Sequence, residues 1–158
     1  MPDPAALPGK GKNHRERPLA DDARRHGPGR VLVAIYATFA LAATARAAYQ
    51  LSTRFSEAPV AYLLSAVAGL VYVVATIGLV RRGRKWWQVA VIAVSVELVG
   101  VLVVGTLSII DRTAFPDETV WSIFGRGYGF IPLVLPVLGL LWLRKTRPAA
   151  APATTRGR

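Results

Sequence analysis

The stretch PVAYLLSAVAGLVYVVATIGLV, from Pro59 to Val80, runs for 22 residues without a charge. At about 1.5 Å of rise per residue, roughly 20 helical residues cross a ~30 Å hydrocarbon layer. Three more apolar runs follow the same pattern. The first is VLVAIYATFALAATA (Val31 to Ala45), continuing past Arg46 as AAYQL. The third spans Trp86 to Ile110 and is interrupted only by Glu97, and the last is IFGRGYGFIPLVLPVLGLLWL, Ile123 to Leu143. A water-soluble domain that is 53% hydrophobic would spread its charges evenly, whereas here they fall in short blocks between the runs. The pattern predicts an all-α bundle of four transmembrane helices, at about 31–52, 59–80, 86–110 and 123–143. Together they make one membrane domain over 30–147. Residues 1–29 and 148–158, rich in Pro, Gly and charge, read as disordered tails.

Charge placement sets the threading. Seven cations precede the first run (Lys10 through Arg30), four lie in RRGRK between runs two and three, and five follow the last run. The other two connections hold only Arg54, Arg112 and Arg126. That alternation predicts both termini in the cytoplasm of a multi-pass plasma-membrane protein. Trp86, Trp87 and Trp142 then fall at the cytoplasmic interface, and Tyr49, Trp121 and Tyr128 at the opposite one. A rival reading makes the first run a cleavable signal ending at ATA (Ala43 to Ala45), with Arg24 and Arg25 as a twin-arginine hint. The length of the basic region favours an uncleaved first helix. The net charge of +11 serves topology, so nucleic acid is not an expected partner. The expected partners are the lipid bilayer and either another membrane protein or a second copy of the chain.

The polar residues inside the runs are the candidate site. Glu97 stands twelve residues beyond Lys85, about 18 Å along the helix and near the midplane. An acid there costs roughly 2.5–3.5 kcal/mol on insertion scales, and its side chain is too short to reach either surface. Arg46, sixteen residues beyond Arg30, comes out at about 24 Å and is the candidate partner. Arg46, Gln50 and Arg54 form one polar stripe, and Tyr72 on the second helix is expected at Glu97's depth. Three readings of the acid stay open. It is protonated while Arg46 reaches for the surface, or it forms a buried structural pair with Arg46, or it is a working proton or substrate site.

Small residues mark packing faces: Ala61, Ser65 and Gly69 on the second helix, and Ala90, Ala93 and Gly100 beside Glu97 on the third. Pro132 and Pro136 predict a kink in the fourth. The loop from Asp111 to Gly129 is read as a solvated loop, a contact surface or a lid. With no cysteine, and with His14 and His26 both in the N-terminal tail, no metal site is expected. No cofactor motif, nucleophile elbow or Walker loop occurs either, so the chain is expected not to be an enzyme.

The basic Pro/Gly tail, the Ala/Val/Gly/Arg-rich spans and the segment FPDETVWSIFGRGYGFIPLVLPVLGLLWLRKTR (Phe115 to Arg147) resemble small uncharacterised integral membrane proteins of actinobacteria. The resemblance implies a membrane location and no particular activity. Small multidrug transporters also have four helices and one embedded glutamate, but theirs lies in the first helix and this one in the third. The function expected is that of an accessory or assembly subunit of a membrane complex. The alternative is a small proton-coupled transporter using Glu97.

Overall fold

The computed structural model describes residues 27–113 and 117–148, and among them every regular element is helical. Helix α1 covers Pro28–Thr53, α2 Pro59–Val80 and α3 Arg84–Ile110. A 3-10 segment, Ser122–Tyr128, leads into α4, Ile131–Lys145. Most of the two tails lies outside the described residues.

Proline starts three of these helices. Pro28 and Pro59 are the first residues of α1 and α2, and Pro132 sits in the first turn of α4. The fixed proline φ suits a helix start, and its missing N–H is one that would have no intrahelical partner there. Gly83, at φ 105°, turns the chain into α3. Only residues 54–58 separate α1 from α2, and 81–83 separate α2 from α3, so neighbours in sequence pack side by side. α3 also holds the 3-10 segment and α4, while α1 and α4 meet only lightly.

Helices α1, α2 and α3 are each long and apolar enough to cross a membrane, and a fourth crossing exists if the 3-10 segment and α4 count as one bent unit. The fourth run is therefore not the single helix over 123–143 that its sequence suggests. It breaks by about 100° between Tyr128 and Ile131. Gly125, Gly129 and Phe130 all have positive φ there, as do Ile123 and Phe124. The 100° bend lies at Gly129 and Phe130, while Pro132 sits in the first turn of α4 and Pro136 lies inside it. At 15 residues, α4 alone is about 22 Å long, short of a full hydrocarbon layer.

The interior is built from small residues and tyrosines. Ala61, Ala68, Ala75 and Ala90 are almost fully enclosed, together with Tyr36, Tyr62 and Tyr72. The exterior carries the large aliphatics: Leu41 and Ile110 are 75% exposed, and Leu70, Ile92 and Val99 are at least 60% exposed. An outer surface of that kind suits hydrocarbon, where close backbone approach replaces the hydrophobic effect as the packing force. Two glycines set the approach. A Cβ at Gly69 would lie 3.2 Å from the backbone N of Thr44 on α1, and one at Gly78 only 2.8 Å from that of Ala90 on α3. Ser65 is also buried on this face and donates to the Ala61 carbonyl at 2.9 Å.

Gly78→Val should therefore push α2 from α3 and cost about 1–3 kcal/mol. Gly127→Ala, whose nearest neighbour is the flexible end of Glu118 at 3.4 Å, should change little. Thermal unfolding of the two purified variants checks this; equal melting temperatures would remove the tight α2–α3 contact.

Candidate functional site

Glu97 is fully buried near the middle of α3. It shares that helix's inner face with Ala90, Ala93 and Val94, all enclosed. Its Oε2 accepts a hydrogen bond from the Tyr36 hydroxyl on α1 at 2.7 Å. The hydroxyl of Tyr72, on α2, lies next to both the carboxyl and the indole of Trp121. The two tyrosine rings stand 6.2 Å apart, tilted by 53°. α4 closes the remaining side, because a Cβ at Gly139 would come within 3.2 Å of both the Tyr36 hydroxyl oxygen and Val94. Every helix thus contributes to the wall around one carboxyl group.

The group is enclosed without being saturated. Glu97 Oε1, the Tyr72 hydroxyl and Trp121 Nε1 are all buried, and none is within hydrogen-bond geometry of a partner. A buried polar atom left without a partner costs about 1–3 kcal/mol. The Tyr72 hydroxyl lies close to the other two, so a small shift of its ring would pair it with either.

Arg46 is not part of it. Its Nη1 donates to the Tyr128 hydroxyl at 2.8 Å and its Nη2 to the Glu118 carbonyl at 2.7 Å. In place of the candidate Glu97–Arg46 pair stand Glu97–Tyr36 and Arg46–Tyr128. The reason is helix stagger. Tyr36 is the α1 residue level with Glu97, and Arg46, ten residues further along, is about 15 Å higher. Depths counted from each helix's own charged end miss this, because α1 and α3 do not start at one level. An aromatic chain still joins the two places. Phe39 packs on Tyr72 at 5.5 Å and on Tyr128 at 5.9 Å. The rest of the polar stripe disperses: Gln50 is buried with its Oε1 unpaired, and Arg54 pairs with Glu57 at 3.8 Å on the surface.

Above Glu97 the chain from Asp117 to Tyr128 forms a cap. Thr119 and Ser122 tie it internally: the Thr119 hydroxyl accepts from the N–H groups of Trp121 and Ser122, and the Ser122 hydroxyl accepts from the N–H of Thr119. The cap seats two rings in notches of α3. Trp121 lies against Gly100 and Phe124 against Gly105, so close that a Cβ at either glycine would fall within 2.7 Å of the ring. Gly100 thus receives a tryptophan rather than another helix. Trp121 is 2% exposed, a plug for the bundle rather than an interface anchor. Each long helix then straps the cap down: Arg46 from α1, Tyr62 from α2 by donation to Asp117 at 2.5 Å, and Ser108 from α3 by acceptance from the Ile123 N–H at 2.8 Å. Ile123 and Phe124 are held at φ 48° and 58°. Such non-glycine conformations cost about 1–3 kcal/mol each and persist only where the surroundings enforce them.

Tyr36, Tyr62 and Trp121 carry roles that the sequence pattern does not single out. The available signal for Tyr36 and Tyr62 was a hydroxyl inside an apolar run, a polar group that needs a partner. Among the described residues no group of three metal-ligating side chains forms. No family model matches the chain, and no curated protein or solved structure is significantly similar to it.

Tyr36→Phe leaves Glu97 Oε2 without its donor and should destabilise the fold by about 1–3 kcal/mol, while Phe39→Leu, without a hydrogen bond to lose, should cost less. Arg46→Gln should leave the core intact and speed amide exchange at 119–128. Denaturation and hydrogen–deuterium exchange read these out; unchanged exchange in the cap would remove Arg46 as its strap.

Proposed function

We propose that this is a multi-pass plasma-membrane protein with both termini in the cytoplasm. It acts by binding, as an accessory or assembly subunit of a larger membrane complex, and not as an enzyme. The three long apolar helices and the aliphatic exterior support the membrane placement, and the alternation of cations supports the orientation. The kinship suggested by its sequence texture, with small actinobacterial membrane proteins, fits the same reading.

One observation carries the functional part. The acid at the centre of the molecule is walled in by Tyr36, Tyr72, Trp121 and Gly139, and the arginine that could modulate it is committed to the cap. The protein uses its interior polar groups to hold its own helices together. What it offers its surroundings is an apolar lateral surface, and action through contacts follows from that. Native purification in a mild detergent should recover the 17.0 kDa chain with a larger membrane protein. Recovery only as a solitary monomer or homodimer would sink the subunit reading.

A second reading has its own support. Glu97 Oε1, the Tyr72 hydroxyl and Trp121 Nε1 are buried and unpaired beneath a strapped lid, a polar spot that could exchange a proton if the cap lifted. In that case the protein is a small proton-coupled transporter. Glu97→Gln should then abolish proton-driven uptake in vesicles while expression and folding persist; full uptake by that variant would end the transporter reading.

A further inference from the structure

Two grooves flank the first two turns of α1, on opposite faces. One lies between α1 and α4, with a volume of about 530 Å³ and walls that include Leu32, Ile35, Leu135, Leu138 and Trp142; Lys145 stands at its end. The other, about 310 Å³, lies between α1 and α2 against Val33, Ala34 and Leu79, with Arg30 and Arg82 beside it. The first groove exists because α1 and α4 meet only lightly, pinched together where Gly29 packs on the Trp142 ring.

The charge around them has one sign. Among the described residues this end of the bundle carries Arg30, Arg81, Arg82, Arg84, Lys85, Arg144, Lys145 and Arg147 and no acid. Glu57, Asp111, Asp117 and Glu118 all lie toward the other end, and Glu97 is enclosed. Arg81 is stacked over Trp86 at 4.3 Å. Arg30, Arg82 and Lys145 are exposed, and among the described residues none is in an ion pair.

We propose that these grooves hold the two acyl chains of one anionic phospholipid, which sits astride the first turns of α1 with its phosphate between Arg30, Arg82 and Lys145. This rests on the membrane placement proposed above. The dimensions favour a lipid over a helix. From Pro28 to Ile35 the α1 wall is only about 11 Å long, enough for part of an acyl chain but not for a spanning helix laid along it. A second copy of this chain would bring the same cations to the same level, and like charges would oppose it. Apolar walls with a cationic rim, and no acid among the described residues at that end, match a phosphate on hydrocarbon tails, and each Lys or Arg near an anionic headgroup contributes about 1 kcal/mol.

The test is native mass spectrometry of the full chain in detergent, titrated with phosphatidylglycerol or phosphatidylcholine of identical chains. Phosphatidylglycerol should bind at least about tenfold more tightly. The combined substitution Arg30→Gln, Arg82→Gln and Lys145→Gln should bring the two lipids level. Leu138→Trp, which fills the α1/α4 groove, should weaken both, and Arg144→Gln, outside both grooves, should leave the preference intact. Equal binding by the unaltered protein overturns the site, as does a preference that survives the triple substitution or falls equally with Arg144→Gln. Circular dichroism confirms that each variant is folded. An alkaline wash of cell membranes separates the two levels of the proposal. Release of the protein would defeat the membrane placement itself, whereas a retained protein with no lipid preference loses only this site.

Discussion

A carboxyl group in an apolar interior has to be supplied with hydrogen-bond donors by the fold, because no solvent is there to do it. Glu97 obtains one from Tyr36, and that contact joins α1 to α3, which are not neighbours in sequence. Tyr72 enters from α2 between them, and Gly139 lets α4 approach the same hydroxyl. Leu and Val faces pack almost equally well against lipid or against each other, so they specify a bundle's register weakly. A single acid that has few partners to choose from specifies it strongly. The helices can slide, but only one register puts Tyr36 beside Glu97.

The cap depends on that register in turn. Trp121 and Phe124 need the notches at Gly100 and Gly105, both above Glu97 on α3. Arg46 reaches Tyr128 and Glu118 only because α1 is staggered so that Tyr36, not Arg46, is level with the acid. The strained residues Ile123 and Phe124 are held by these same attachments. A backbone that costs energy locally is therefore stabilised by three helices at once, and the acid, the stagger and the cap form one cooperative unit.

How legible this was follows from which property each feature depends on. Helices α1, α2 and α3 are set by local composition, and their apolar runs mark them within a few residues. The fourth run failed because its ends read alike in hydropathy while Gly125, Gly129 and Phe130 take left-handed conformations in between, and hydropathy carries no information on φ. Glu97 stood out because an acid in an apolar run is rare and costly. Its partner did not, since choosing between Tyr36 and Arg46 requires the relative height of two helices. Stagger is a tertiary quantity, visible only where Tyr36 meets Glu97 and where Gly69 and Gly78 let the helices approach closely. Trp121 misled for a related reason: an indole near a run's end anchors at an interface unless a glycine notch one turn past the acid can receive it.

The two ends of the bundle answer different physical demands. At the end with the acids and the cap, side chains from three helices close the interior, and hydrogen bonds there connect residues as far apart as Arg46 and Tyr128. At the basic end the helices are joined differently: the Trp87 indole donates to the Leu143 carbonyl at 2.9 Å and lies under Arg147 at 5.8 Å, and Gly29 rests on Trp142. The remaining cations there repel one another, and no described acid offsets them. α1 and α4 touch at that level where Gly29 rests on Trp142, and an open apolar groove runs beside the contact. An anionic group with a chain in that groove would relieve the repulsion and fill the seam, so whatever neutralises the basic end also bears on how firmly the walls around Glu97 are held.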